Sequence, residues 1–182
     1  MEPRPSDPLR ARARSAYELG RARSATWTAL VVLPFVGCAL LAAEAPAPVA
    51  VLGAALYLLA TALLFRGQVY GSAVFVGLVA GAAPMLAPIL FRRSGHCCVG
   101  GTCWAGCMVA CLAGGVAAGL AIGWFAWKHK ERPGAFGLAA AGVAALTGGL
   151  GCGVAGLTGT LMMMAALAAT SIPMVGVARA RA

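Results

Sequence analysis

Charge is the scarcest property of this chain. Only 10% of its 182 residues are Asp, Glu, Lys or Arg, and just five of those are acidic; soluble domains carry about 25%. None falls between Ala25 and Ala43, Pro46 and Phe65, Val69 and Phe91, Cys103 and Trp127, or Gly134 and Val177. A soluble helical protein needs polar faces repeating with the helical period, and these runs have none. Ion-coupled carriers place ionisable groups at membrane depth despite the cost, and the centres of these runs hold no such group. Paired C-x-x-C is also missing, which argues against a zinc ribbon or a thioredoxin-type centre. Ser94 and His96 have no carboxylate nearby to complete a hydrolytic triad, and no phosphate-binding glycine motif occurs. The chain is therefore expected to be no enzyme and to require no cofactor.

What is present is apolar sequence, 61% of the chain. A hydrocarbon core takes roughly 20 apolar residues per helical crossing. The first four runs fit one helix each, and the fifth is long enough for two. Glycine density at Gly148-Gly149-Leu150-Gly151-Cys152-Gly153 favours a turn there. The expected fold is all-α, a polytopic bundle of six transmembrane helices over residues 25–43, 47–65, 70–91, 103–127, 134–150 and 155–177. A basic segment, 1–24, precedes the transmembrane domain, 25–177, which has a Cys-rich outer loop at 92–103; a basic tail, 178–182, follows it.

Six crossings put both termini on one side of the membrane. That side then receives all of the fourteen Lys and Arg residues except Arg92 and Arg93. Positive charge is retained in the cytoplasm, so both termini are expected to be cytoplasmic, in a bacterial inner membrane. Ala43-Glu44-Ala45 resembles a signal-peptide cleavage site, but Pro46 directly after it speaks against processing.

With that orientation all seven cysteines gather at the outer end. Cys97, Cys98, Cys103, Cys107 and Cys111 crowd together beside His96, while Cys38 and Cys152 reach the same depth from elsewhere. Two chemistries compete. His96, Cys97, Cys98, Cys103 and Cys107 offer donors for a thiophilic ion such as zinc, copper or mercury. Alternatively Cys98, Cys103 and Cys152 form disulfides or redox thiols on the oxidising side. The plain structural reading also stands, because Cys103, Cys107 and Cys111 continue at four-residue spacing through Gly115, Gly119 and Gly123. Small residues at that spacing let membrane helices approach closely, and Gly77 and Gly81 offer a partner face.

At the other end, Leu9 to Arg23 forms a short basic helix expected to lie against the membrane. Arg10, Arg12, Arg14, Arg21 and Arg23 would attract anionic lipid or dock an acidic protein; direct nucleic-acid binding is not expected.

The arrangement resembles the six-helix membrane anti-sigma factors of bacteria, the negative regulators of sigma factor. The matching features are the basic opening Pro8-Leu9-Arg10 to Arg23, Cys98 or Cys103 in the outer loop, Cys152 at the last hairpin, and Pro173 followed by Arg179 and Arg181. The resemblance implies a non-enzymatic regulator that holds a sigma factor at its cytoplasmic N-terminal segment and senses stress through outer cysteines. A heavy-metal binding or transport protein, and a structural membrane protein with disulfides only, are the alternatives. Partners in all cases include the lipid bilayer, and the glycine seams also suit a homodimer.

Overall fold

A computed structural model describes residues 8–43, 45–93, 103–129, 132–152 and 156–180. Within these the chain is helical throughout, apart from short connections. The helices are α1 (Pro8–Ala29), α2 (Leu33–Ala42), α3 (Pro46–Arg66), α4 (Gln68–Arg93), α5 (Cys103–Lys128), α6 (Pro133–Cys152) and α7 (Gly156–Ala180). Proline opens α1, α3 and α6, where its missing N–H costs nothing because the first turn has no intrahelical acceptor. Six spans are long and apolar enough to cross a membrane. The protein is a multi-pass membrane protein, as the charge-free runs require.

The first span departs from expectation. The basic segment is not a separate surface helix: α1 runs into α2 through one 3-10 turn, Leu30–Val32. Pro34 explains the turn. It has no N–H to give the Leu30 carbonyl, so the backbone tightens and the Leu33 N–H reaches that carbonyl instead. The chain thus stays helical through the proline. The span Arg12–Ala42 has 31 residues, about 46 Å at the ~1.5 Å rise of a helix, against a hydrocarbon core of ~30 Å. Its basic end therefore extends beyond the apolar layer as a continuation of the span.

Gly67 alone joins α3 to α4, at φ +122°, a conformation that side chains other than glycine rarely adopt. The break expected in the glycine-rich stretch divides α6 from α7, but it falls after Cys152 and not after residue 150. Helix α6 continues through the stretch to Cys152, because those glycines are used for close approach: a Cβ on Gly151 would collide with the Met85 backbone.

Helix packing is most extensive between α4 and α6 and between α5 and α7. Gly77 meets Ala140, Gly81 meets Ala144 and Thr147, and Gly151 meets Met85. Residue numbers rise together along both helices, so α4 and α6 run in the same direction. The same holds for α5 and α7, where Gly115 lies against Met163, Gly119 against Leu167 and Thr170, and Gly123 against Met174. The hairpins α4–α5 and α6–α7 thus lie side by side with their like-directed helices in contact. This corrects the expected pairing of glycine faces. Cys111, Gly115, Gly119 and Gly123 of the α5 stripe pack on α7, while Gly77 and Gly81 pack on α6; it is Gly114, off the stripe, that meets α4 at Pro84.

One core layer joins the first span, α3, α4 and α6 through Val32, Leu56, Leu78, Met85, Val143 and Leu150. A second, rich in alanine, joins α4 to α7 around Ile122, Phe136, Ala140 and Leu167. The outer surface carries Leu41, Leu58, Val79, Leu138 and Ile172, all more than half exposed, which suits lipid and not water.

If close approach holds the bundle, added methyl groups should be felt by position. A Cβ on Gly81 would lie 2.7 Å from Thr147 Cβ and 2.9 Å from the Ala144 carbonyl oxygen, whereas one on Gly37 meets nothing within 4 Å. Gly81→Ala is expected to lose about 1–3 kcal/mol, and Gly37→Ala to stay within about 0.5 kcal/mol of the parent. Thermal unfolding in detergent reads both; equal melting temperatures would contradict this packing.

Candidate functional site

The prolines of α4 generate the site. Pro88 has no N–H, so the Pro84 carbonyl one turn earlier loses its helical donor inside the apolar layer. Such a group costs several kcal/mol in hydrocarbon if unmet. Cys152, the last residue of α6, brings its thiol 3.6 Å from the Pro84 oxygen and donates to it. Glycines on both neighbours admit the proline: Gly114 of α5 lies against Pro84 Cα, and Gly148 of α6 lies against its ring.

Cys152 has sulfur companions. Cys111 of α5, Cys152 and Met163 of α7 form one fully buried cluster. Cys111 and Cys152 are both thiols. Met163 is held in register by two glycines, each one turn inward of a cysteine. A Cβ on Gly148 would come within 2.5 Å of Met163 Sδ, and one on Gly115 within 2.6 Å of the Met163 carbonyl oxygen. Four helices thus converge on three sulfurs and one proline carbonyl.

The sequence-derived candidates distribute unevenly around this cluster. His96, Cys97 and Cys98 lie outside the described residues, as do the side chains of Cys103 and Cys107, although both belong to α5. Cys152 was expected at an exposed turn, able to pair with Cys98 or Cys103; it is instead buried at the end of α6 against Cys111. Cys111 was expected to be packing filler in a small-residue seam, and it faces a second thiol. Cys38 is exposed on α2 and stands apart from the cluster. Among the described residues no three or more His, Cys, Asp or Glu gather as a metal-binding group. Met163 was not anticipated. Its signal was present in Gly115 and Gly148, each four residues from a cysteine, but nothing in one dimension ties those positions to α7.

The opposite end of the bundle is basic and aromatic. Arg12, Arg14 and Arg23 are exposed on the extended part of α1, where Arg14 approaches Glu18 at 3.9 Å, an exposed pair of little energetic weight. The side chain of Arg10 lies outside the described residues. Arg21 differs from the rest: it is half-buried, with its guanidinium carbon 5.3 Å from the centre of the Phe65 ring, close to Gly67. A turn further on, the Tyr57 hydroxyl donates to the Thr26 carbonyl at 3.4 Å. Both contacts tie α1 to α3. Trp124 and Trp127 are edge-to-face at 6.1 Å, Lys128 sits 5.2 Å above the Trp124 ring, and His129 stacks on Phe136. Aromatic and basic residues in one band are the mark of a membrane–water boundary.

Compared with protein-family models, curated proteins and solved structures, the chain matches none.

The Cys152–Pro84 hydrogen bond can be isolated. Cys152→Ala leaves the carbonyl without this donor and is expected to cost about 1–3 kcal/mol. Pro88→Ala restores a helical N–H for the same oxygen, so in that background the loss should shrink by about 1 kcal/mol. Strictly additive losses in the double-mutant cycle would show that the thiol does not serve Pro84.

Proposed function

We propose that the chain is a non-enzymatic regulator of the bacterial inner membrane, with both termini cytoplasmic and a redox-responsive thiol pair, Cys111 and Cys152, at its outer end. Its cytoplasmic partner, held by the basic face of α1, is an acidic protein, and the resemblance to membrane anti-sigma factors makes a sigma factor the leading candidate. The observation that carries this reading is the buried cluster that brings together Cys111 and Cys152, two thiols from different helices, the second of which donates to the Pro84 carbonyl.

The chemistry supplies a switch. A two-electron oxidant such as diamide takes two electrons and two protons from the pair, and one S–S bond replaces two S–H bonds. Cys152 then has no proton to donate, and the Pro84 carbonyl loses its hydrogen bond. Leaving that group unmet costs about 1–3 kcal/mol, enough to move a balanced equilibrium about tenfold or more toward a packing that relieves it. Helix α4 is the element that must shift. Gly67 joins it directly to α3, at the point where Arg21 and Phe65 anchor α1. Oxidation at one end thereby loosens the basic helix at the other.

This sequence of events is checked on the full chain in proteoliposomes. Diamide should increase trypsin cleavage after Arg21 and Arg23, and Cys111→Ser or Cys152→Ser should remove that increase. The same variants should still co-purify the partner from unstressed cells. A response that persists in both variants, or one abolished by Cys98→Ser and Cys103→Ser instead, would defeat the proposal.

A further inference from the structure

We infer that Cys111, Cys152 and Met163 form a binding site for one soft monovalent cation, Cu(I) or Ag(I). The donor set is the first reason. Two thiols and a thioether are soft sulfur ligands, the kind that select Cu(I) over harder ions. A structural zinc site would ask for four nitrogen or sulfur donors in a tetrahedron, and among the described residues no third His, Cys, Asp or Glu joins these two cysteines.

Convergence is the second. The sulfurs come from α5, α6 and α7, and all three residues are fully buried in one cluster. Methionine is a common gap-filler in cores, yet here both helices that carry the thiols give up their side chains to admit it. Gly115 follows Cys111 by one turn and accepts the Met163 backbone; Gly148 precedes Cys152 by one turn and accepts the Met163 sulfur. The thioether is thereby brought to the two thiols.

Capture also has defined proton accounting. Cysteine ligates a metal as the thiolate, so when the cation enters both thiols give up their protons to solvent, while the thioether coordinates as a neutral donor.

Metal capture and disulfide formation use the same two thiols, but only capture needs Met163, so the two fail independently. The test uses the full chain in detergent with Cys38, Cys97, Cys98, Cys103 and Cys107 replaced by serine, kept reduced and anaerobic, and titrated with Ag(I) against a competing chelator. One Ag(I) should bind per chain, with release of two protons. Cys111→Ser and Cys152→Ser should each abolish stoichiometric binding. Met163→Leu, which conserves volume, should weaken it at least about tenfold while diamide cross-linking of Cys111 to Cys152 proceeds as before. Unchanged affinity in Met163→Leu, or Ag(I) uptake that persists when both cysteines are serine, would overturn the site.

Discussion

A backbone carbonyl inside hydrocarbon must find a donor, and this molecule is arranged around the places where its prolines take one away. At Pro34 the solution is local: one 3-10 turn lets the Leu33 N–H reach the Leu30 carbonyl, and the first span stays helical. At Pro88 a second helix takes part. The Pro84 carbonyl is met from another helix, by the thiol of Cys152. One proline therefore shapes a helix, while the other ties two helices together and brings a cysteine to a defined place.

That tie depends on how closely the helices approach, which is a matter of side-chain size. Lipid tails are as apolar as leucine, so membrane helices gain little from hiding apolar surface and associate through van der Waals packing and hydrogen bonds. Glycine supplies the first at Gly77, Gly81, Gly115, Gly119 and Gly151, where backbone meets backbone or a first side-chain carbon. The same closeness lets thiols at the ends of α5 and α6 reach each other with Met163 between their glycines. Packing and chemistry are not separate layers here, because the residues that permit approach also bring the sulfurs together.

The two ends of the bundle are chemically unlike. One holds a dry sulfur cluster; the other carries exposed arginines, interfacial tryptophans and the Arg21–Phe65 anchor. Helix α4 extends from one to the other, with Pro84 at the sulfur end and Gly67 at its start beside the anchor. A change in the hydrogen bonding of Pro84 acts on a helix whose far end meets the site that positions α1. Few residues need to move for such coupling, since α4 joins α3 through a single glycine.

Much of the fold was legible in one dimension. The spans could be placed because the absence of charge over about 20 residues is a local property that lipid tests directly. The starts expected at 47 and 134 fall one residue after the observed ones, Pro46 and Pro133. Errors arose where a residue had two uses. The glycine density read as a turn lies partly inside a helix that ends at Cys152, where Gly148 and Gly151 are contact points. The basic segment read as a separate surface helix because its arginines suit the membrane surface, whereas α1 runs on into the first span through the 3-10 turn. From Cys111 to Gly123 the small-residue stripe of α5 is one face, but it packs on α7 and not on the face of Gly77 and Gly81.

The sequence alone therefore determined that the protein is an all-helical membrane bundle with basic residues concentrated near its termini and connections, since hydropathy and charge act on each segment independently. Only the tertiary structure decided that Cys111 meets Cys152, that Met163 joins them, and that Pro84 needs the thiol. A four-residue spacing specifies a face of a helix without naming the helix that covers it. That choice is made by the shapes of all six spans together, through contacts between residues tens of positions apart.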